Sequence, residues 1–403
     1  MSLRFWPLAL GCALLLLESA RAEALQFGTL LTDEAHAQAE CAAGIRIVHL
    51  ELGWSAYEPR DGQFNTRYAE NMRAKLAVFR KAGLQVVLGT GLQYPPKWLF
   101  DLPDSRYVNQ DGVAAGRVAN LTFNPVLRAR AERFLQRVAQ DLGTAFCAVR
   151  VGSGGSIECF YPEWDAAHTR NSYWAFDANA QQTCPFPGWK PGARDYRGQP
   201  FTPQQVERWY DWYLGALVDG IEWQLALYRR LGYRGQLQVL LPGQGTRPQD
   251  FSRCLARYLA GEADRSHTMS RGAVWHKVIE RLGDRRNVTL YISSVADGSG
   301  GNDLPQPGDR AVPLDDPAIN KWSATRWLVY LADRYQMAKS GENPGRGDAP
   351  GYGLPMLQAA VAQAQAGHFT SFLWAHDHNL FDATGPTLAD YSEIIRQQST
   401  TAR

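Results

Sequence analysis

Eight short apolar runs, separated by longer stretches of helical periodicity, constrain this chain more than any other feature of it. The runs cover residues 25–31, 45–54, 84–91, 148–152, 236–241 and 288–293, a weak one just before Glu342, and 369–374. Between them Met72, Leu76 and Phe79, and then Leu127, Ala131, Phe134, Val138 and Leu142, recur every three or four residues and share one helical face. Val206, Tyr210, Tyr213, Leu217, Ile221 and Leu225 repeat the pattern over 204–231. Regular strand and helix alternation builds parallel sheets, and eight repeats predict an α/β fold of the (β/α)8 barrel type. A doubly wound sheet is the rival, but no G-x-G-x-x-G turn follows the first run and no P-loop occurs.

Such a barrel takes about 250 residues, and the chain has 403. The excess falls at 92–125, 159–203 and 296–320, segments rich in Pro, Gly, Asn and Asp that each follow a strand. Long βα loops gather on the face where barrel enzymes keep their sites. The first 22 residues carry Arg4, a run from 5 to 17 that is apolar but for Gly11, and Ser19-Ala20-Arg21-Ala22 before a cleavage point. They read as a signal peptide, leaving 23–403 as one catalytic barrel domain, secreted or periplasmic.

Charge narrows the ligand. Lys and Arg number 42 against 40 Asp and Glu, a net charge of +2, too weak a field to collect nucleic acid or an anionic membrane. Thirteen Trp and 17 Tyr suit a neutral ligand with apolar faces and polar edges, as an oligo- or polysaccharide has. Beyond residue 22 the cysteines are Cys41, Cys147, Cys159, Cys184 and Cys254, without the spacing of a zinc site, and nothing calls for a cofactor. In an oxidising compartment a Cys159–Cys184 disulfide is expected, tying down the aromatic segment between them.

Breaking a glycosidic bond needs an acid on the leaving oxygen and a carboxylate facing the developing positive charge. Two glutamates stand at strand ends. Glu158 follows the fourth run through Ser153-Gly154-Gly155-Ser156-Ile157, where glycines allow a sharp turn, and Glu342 opens the turn Glu342-Asn343-Pro344-Gly345 at the end of the seventh. The ends of strands 4 and 7 face each other across a barrel mouth.

Residues 44–98, with Glu51-Leu52-Gly53-Trp54, Tyr57-Glu58-Pro59, Asp61-Gly62-Gln63-Phe64 and Tyr94-Pro95-Pro96-Lys97-Trp98, resemble the amino-terminal half of clan A glycoside hydrolases, in particular the family 42 β-galactosidases. Val108-Asn109-Gln110-Asp111-Gly112, Glu342-Asn343-Pro344-Gly345 and Phe372-Leu373-Trp374 extend the resemblance. It implies that Glu158 is the acid/base and Glu342 the nucleophile of a retaining double displacement. That family has Asn directly before the acid/base, where this chain has Ile157. Residues 151–162 are also similar to the matching strand of β-amylases, which invert. An inverting hydrolase on the same glutamates, or a carbohydrate-binding protein on a disabled barrel, therefore stays open.

Around these two, Glu51, Trp54, Tyr94, Trp98, Trp374 and His376 are candidate substrate contacts, with Trp374 as the floor of the sugar site. Glu58 reads as part of a turn, Asp297 as a loop turn or a ligand contact, and Glu163 and Asp165 as rivals of Glu158. His376 and His378, with His49, raise the question of a metal, but hydrogen bonding to hydroxyls or backbone is the expectation.

Overall fold

The computed structural model describes residues 24–152, 158–162, 171–243, 245–259, 268–345, 347, 349 and 351–401. The expected signal peptide, Ile157, Glu163 and Asp165 lie outside the described residues. Eight strands, β1 (Gln26–Thr29), β2 (Ile47–Glu51), β3 (Gln85–Gly89), β4 (Ala148–Val151), β5 (Gln236–Leu241), β6 (Val288–Ile292), β7 (Ala338–Glu342) and β8 (Ser371–Trp374), close into a barrel, one in each expected run. All neighbours are parallel, and β1 bonds to both β2 and β8, which excludes a doubly wound sheet. Helices follow each strand: α1 (Ala37–Ala42), α2 (Thr66–Lys81), α3 (Pro125–Leu142), α4 (Pro203–Arg230), α5 (Pro248–Leu259), α6 (Trp275–Arg281), α7 (Ala324–Arg334), α8 (Leu354–Ala366) and α9 (Leu388–Thr401).

Local chemistry sets the helix ends. Asn124 accepts from the N–H groups of Val126 and Leu127 at 2.9 and 3.2 Å to start α3, Pro125 fills its first turn, and Gly143 at φ 75° ends it. Thr202 and Gln205 cap α4 reciprocally. The apolar stripe of α3 is buried as its spacing predicts. Strand β7 has almost no apolar signal because Lys339, on a buried position, forms an ion pair with Asp333 in place of packing.

Alternation along the strands divides the molecule into two apolar regions. Val48, Leu50, Val86, Leu88, Val149 and Val151 join the large core with the helices, while Leu30, Ile47, Val87, Ala148, Leu373 and Ala375 form a separate small tier. The opposite alternation places that tier inside the barrel. Below it, at the amino-terminal end, lies a cavity of about 210 Å³ lined by Gln26, Gln85, Gln236, Gln238, Ser340 and Ser371, among others. Above it, at the carboxyl end, come the charged residues of the next section.

Burial corrects several expected roles. Trp54 has no exposed surface: its ring stacks on Phe134 of α3 at 5.2 Å and its Nε1 donates to Glu58 Oε2 at 2.9 Å. Trp98 meets Trp54 edge-on at 6.4 Å and donates to the Glu58 carbonyl at 3.0 Å, so both rings belong to the packing around Glu58. Glu58 is itself buried, paired with Arg133 and accepting the Gly62 N–H at 2.9 Å, and it anchors the turn it was assigned to. Trp374 shares the outward phase of Phe372, is wholly buried, and packs against Tyr352 at 5.3 Å. A ring without exposed surface cannot be the floor of a sugar site.

The expected Cys159–Cys184 disulfide is absent. Both thiols are free and buried, and Cys159 Sγ contacts the Val151 carbonyl at 3.1 Å. Among the described residues no helix is long and apolar enough to cross a membrane. Truncation of Trp54 to Ala tests its reassignment: the cavity is expected to cost about 3–5 kcal/mol in urea unfolding, with KM for any substrate unchanged.

Candidate active site

The carboxyl end of the barrel gathers an acid from each of three places: Glu51 at the end of β2, Glu342 at the end of β7, and Glu158 beyond β4. Strand alternation aims the first two inward together with His49, Arg150 and Tyr291. Glu158 arrives by a different route. The Cys159 N–H donates to the Leu240 carbonyl on β5 at 2.8 Å and the Tyr161 N–H to the Arg271 carbonyl at 2.9 Å, which draws the chain back across the barrel end. There Ser293, two residues beyond Tyr291, donates its hydroxyl to Glu158 Oε1.

Glu342 is held on one oxygen. Its Oε2 accepts from Arg150 Nη2 at 2.8 Å and from the Tyr291 hydroxyl at 2.8 Å. Burial pushes the Glu342 carboxyl above its ordinary value, opposed by the Arg150 charge and the Tyr291 hydrogen bond. Tyr291 is pushed far up, by burial first and Glu342 second, and so keeps its proton to donate. Burial also raises Glu158; the Ser293 hydrogen bond opposes this, the Glu342 charge adds to it, and Arg271 and Arg150 oppose it. The Glu342 charge reaches Glu158, and Arg150 acts on both.

Glu51 has its own partners. Gln93 Nε2 donates to Glu51 Oε1 at 3.0 Å, and His49 Nε2 lies 3.3 Å from Oε2. The Leu31 N–H donates to His49 Nδ1 at 3.4 Å, which places the ring proton on Nε2, toward Glu51. Burial lowers the His49 pKa, so the ring is neutral despite the pull of Glu51. Gly89 makes this possible: a Cβ there would collide with the Glu51 carboxyl and sit 2.6 Å from His49 Nε2.

His376 is half-buried over the turn after Glu342, where a Cβ on Gly345 would strike its ring. Burial lowers its pKa, aided by His378, His49 and Arg150, so it is a neutral hydrogen-bonding group at the mouth. Asn343 closes the same corner by accepting the Ala375 N–H at 2.8 Å and donating to the Ala375 carbonyl at 3.0 Å, tying β7 to β8. Asp377 turns away, accepting from the Asp33 N–H at 3.0 Å and His36 Nδ1 at 2.9 Å. His378 stacks on His376 at 5.7 Å. Tyr94, 49% exposed on the loop after β3, is free to meet a ligand, whereas Asp297 caps its own turn by accepting from the Ser299 N–H at 2.9 Å.

Glu51, Glu158, Glu342 and His376 are thus brought together, Trp54 and Trp374 are buried in the core, and half-buried Trp98 packs edge-on against Trp54. Sequence reasoning missed Arg150, Tyr291, Ser293, Arg271 and Gln93. Arg150 carried a signal: it interrupts Ala148-Val149-Val151 on a barrel strand, and an arginine there is buried only if it has acidic partners.

The closed parallel barrel thus carries Glu342 at the end of β7 and Glu158 beyond β4. The family model described as Beta-galactosidase, glycoside hydrolase family 42, matches residues 33–149. Beta-galactosidase BgaA of Thermus sp is 29% identical over 136 residues, 31% of this chain and 21% of that enzyme. The matched segment therefore spans about a fifth of such relatives. In fold, the catalytic domain of beta-amylase from Paenibacillus polymyxa superimposes with a TM-score of 0.67 at 14% identity, over 94% of this chain and 100% of that one. Beta-galactosidase from the psychrophilic Marinomonas ef1 gives 0.57 at 14% identity, over 94% of this chain and 60% of that one.

Replacing Ser293 with Ala removes the hydrogen bond that favours ionised Glu158. Carbon-13 titration of glutamate carboxyls, assigned with Glu158→Gln, is expected to show the Glu158 midpoint moving to higher pH. An unmoved midpoint would mean that Ser293 does not tune this group.

Proposed function

We propose that this protein hydrolyses an O-glycosidic bond of an oligo- or polysaccharide by a retaining double displacement, with Glu342 as nucleophile and Glu158 as acid/base. The observation that carries the reading is the pair itself: two half-buried glutamates at the carboxyl end of the barrel, each held by a different donor, with the Glu342 charge acting on Glu158. Two guanidiniums, Arg150 and Arg271, act on a hollow with three carboxyls, Glu51, Glu158 and Glu342. Burial and the Glu342 charge raise Glu158, the direction that a general acid needs.

In the first step Glu342 bonds to the anomeric carbon as the bond to the leaving oxygen breaks, and that oxygen takes the proton of Glu158. In the second, Glu158 removes a proton from water, whose oxygen displaces Glu342 and restores both groups. Glu51, with His49 and Gln93 behind it, and His376 and Tyr94 at the rim are the proposed sugar contacts. Similarity to β-galactosidases over residues 33–149 makes β-galactosides the first substrates to try. The apolar run and small residues of 1–22 support export to the periplasm or medium.

The test is a panel of aryl glycosides and polysaccharides run with wild type, Glu342→Ala and Glu158→Ala. Glu342→Ala is expected to lose turnover and to recover part of it with azide. Glu158→Ala is expected to fall by about 10²–10⁴-fold on poor leaving groups and much less on activated ones. NMR of the first-formed anomer reads retention directly. An active Glu342→Ala overturns the nucleophile, and initial inversion moves Glu342 to the role of general base.

A further inference from the structure

The seam where β1 meets β8 holds a buried acid that the two-glutamate reading does not use. Glu40 shares the inward face of α1 with Ala37 and has no exposed surface. Neither of its oxygens accepts a hydrogen bond among the described residues. The neighbouring Thr29 hydroxyl is spent: Thr32 donates to the Thr29 carbonyl at 3.2 Å, so Thr29 donates to the Thr32 hydroxyl at 2.9 Å. What meets the Glu40 carboxyl is the side chain of Asp377, itself buried on the loop after β8. Asp377 Oδ2 accepts from the Asp33 N–H and from His36 Nδ1, and the Asp377 N–H donates to the Leu30 carbonyl at 3.0 Å.

Two ionised carboxylates cannot abut in a dry site with no donor between them. A proton supplies the donor, since the acid form of one then bonds to the ionised form of the other. The other titratable and charged groups around Glu40 have partners elsewhere. In the loop after β1, His36 is bonded to Asp377, Asp33 accepts from the Ala35 N–H at 2.9 Å, and Glu34 pairs with Lys75 of α2 at 2.8 Å. Arg46, just before β2, donates to the Cys41 and Ile45 carbonyls at 2.9 and 2.8 Å. Tyr391 of α9 donates to the Gly28 carbonyl at 3.0 Å.

We infer that Glu40 and Asp377 hold one proton between them, and that this acid pair is a clasp joining α1 to the loop after β8, which positions the adjacent His376 at the barrel mouth. Burial first and Asp377 second push Glu40 up to about 9. The clasp is therefore closed at neutral pH and opens in alkali, where two like charges repel. The shared proton is independent of the hydrolytic reading, and only its consequence for a sugar rests on that reading.

An unfolded glutamate ionises near 4.5 and folded Glu40 near 9. Stability from the shared proton is whole below the lower pH and lost as the pH rises through the higher one. Between the two, the wild-type unfolding constant is expected to rise about tenfold per pH unit relative to Glu40→Gln, whose amide donates to Asp377 without titrating. Urea unfolding at a series of pH values reads this, and parallel profiles overturn the shared proton.

Positioning is read from NMR of the His376 ring carbons, assigned with His376→Gln. His49, Arg150 and His378 face that ring, and Tyr352, pushed up to about 12, keeps its proton in the range used. Wild-type signals are expected to move with a midpoint near 9. Those of Glu40→Gln stay where neutral wild type has them, and those of Glu40→Leu are displaced throughout. Signals that behave alike in the three proteins overturn the positioning. If Glu40→Gln does not fold, Glu40→Leu serves both comparisons, because it removes proton and bond together. Neither measurement needs a substrate, so both decide the inference even where an active Glu342→Ala removes the nucleophile. On a glycoside that is cleaved, KM is expected to rise through the same pH in wild type and to stay flat in Glu40→Gln. A flat wild-type KM beside a moving His376 signal removes the sugar contact and leaves the clasp.

Discussion

A single buried guanidinium organises the carboxyl end of this barrel. Arg150 is taken out of water on the inside of β4, where its cost is offset by the carboxylates that converge on it from the opposite wall. Burial alone pulls the group down, and Glu342, Tyr291, Glu51 and Glu158 together more than reverse that, so the charge is permanent. Without it three acids would face one another in a site closed from below by an apolar tier. With it, Glu342 is held on one oxygen by Arg150 and Tyr291.

The barrel makes this economical in residues. Strand alternation delivers His49 and Glu51 from β2, Arg150 from β4, and Tyr291 and then Ser293 from β6, each pair two positions apart. Tyr291 on β6 and Ser293 just beyond it serve different glutamates, Tyr291 donating to Glu342 and Ser293 to Glu158. The family match at 33–149 stops one residue short of Arg150. Arg150, Glu158 and Glu342 therefore all lie beyond the part of the chain where sequence similarity is clear, and their assembly is visible only through the fold.

Much of that fold is legible in the chain because strand and helix periods differ and the eight runs are bounded by turn residues. Strand β7 is the exception, since Lys339 occupies a buried position by pairing with Asp333 and erases the apolar pattern. Glu158 and Glu342 stood out in the sequence as acids placed after the fourth and seventh runs, and the structure places both at the carboxyl end of the barrel. The aromatic contacts were not legible, because a tryptophan that stacks on a sugar and one that fills a core have the same local sequence. Trp374 shows why: being in phase with Phe372 decides its direction, and a motif ending in Trp carries no information on phase. The Cys159–Cys184 expectation failed on a similar point, since proximity in a loop does not bring two sulfurs face to face.

Gly89 carries a constraint that outlasts any activity. Its missing side chain is the space into which His49 and Glu51 fit, so the position is tied to the shape of the mouth and to no chemical step. Any larger residue there would displace the Glu51 carboxyl and the His49 ring together, whatever enters the barrel mouth.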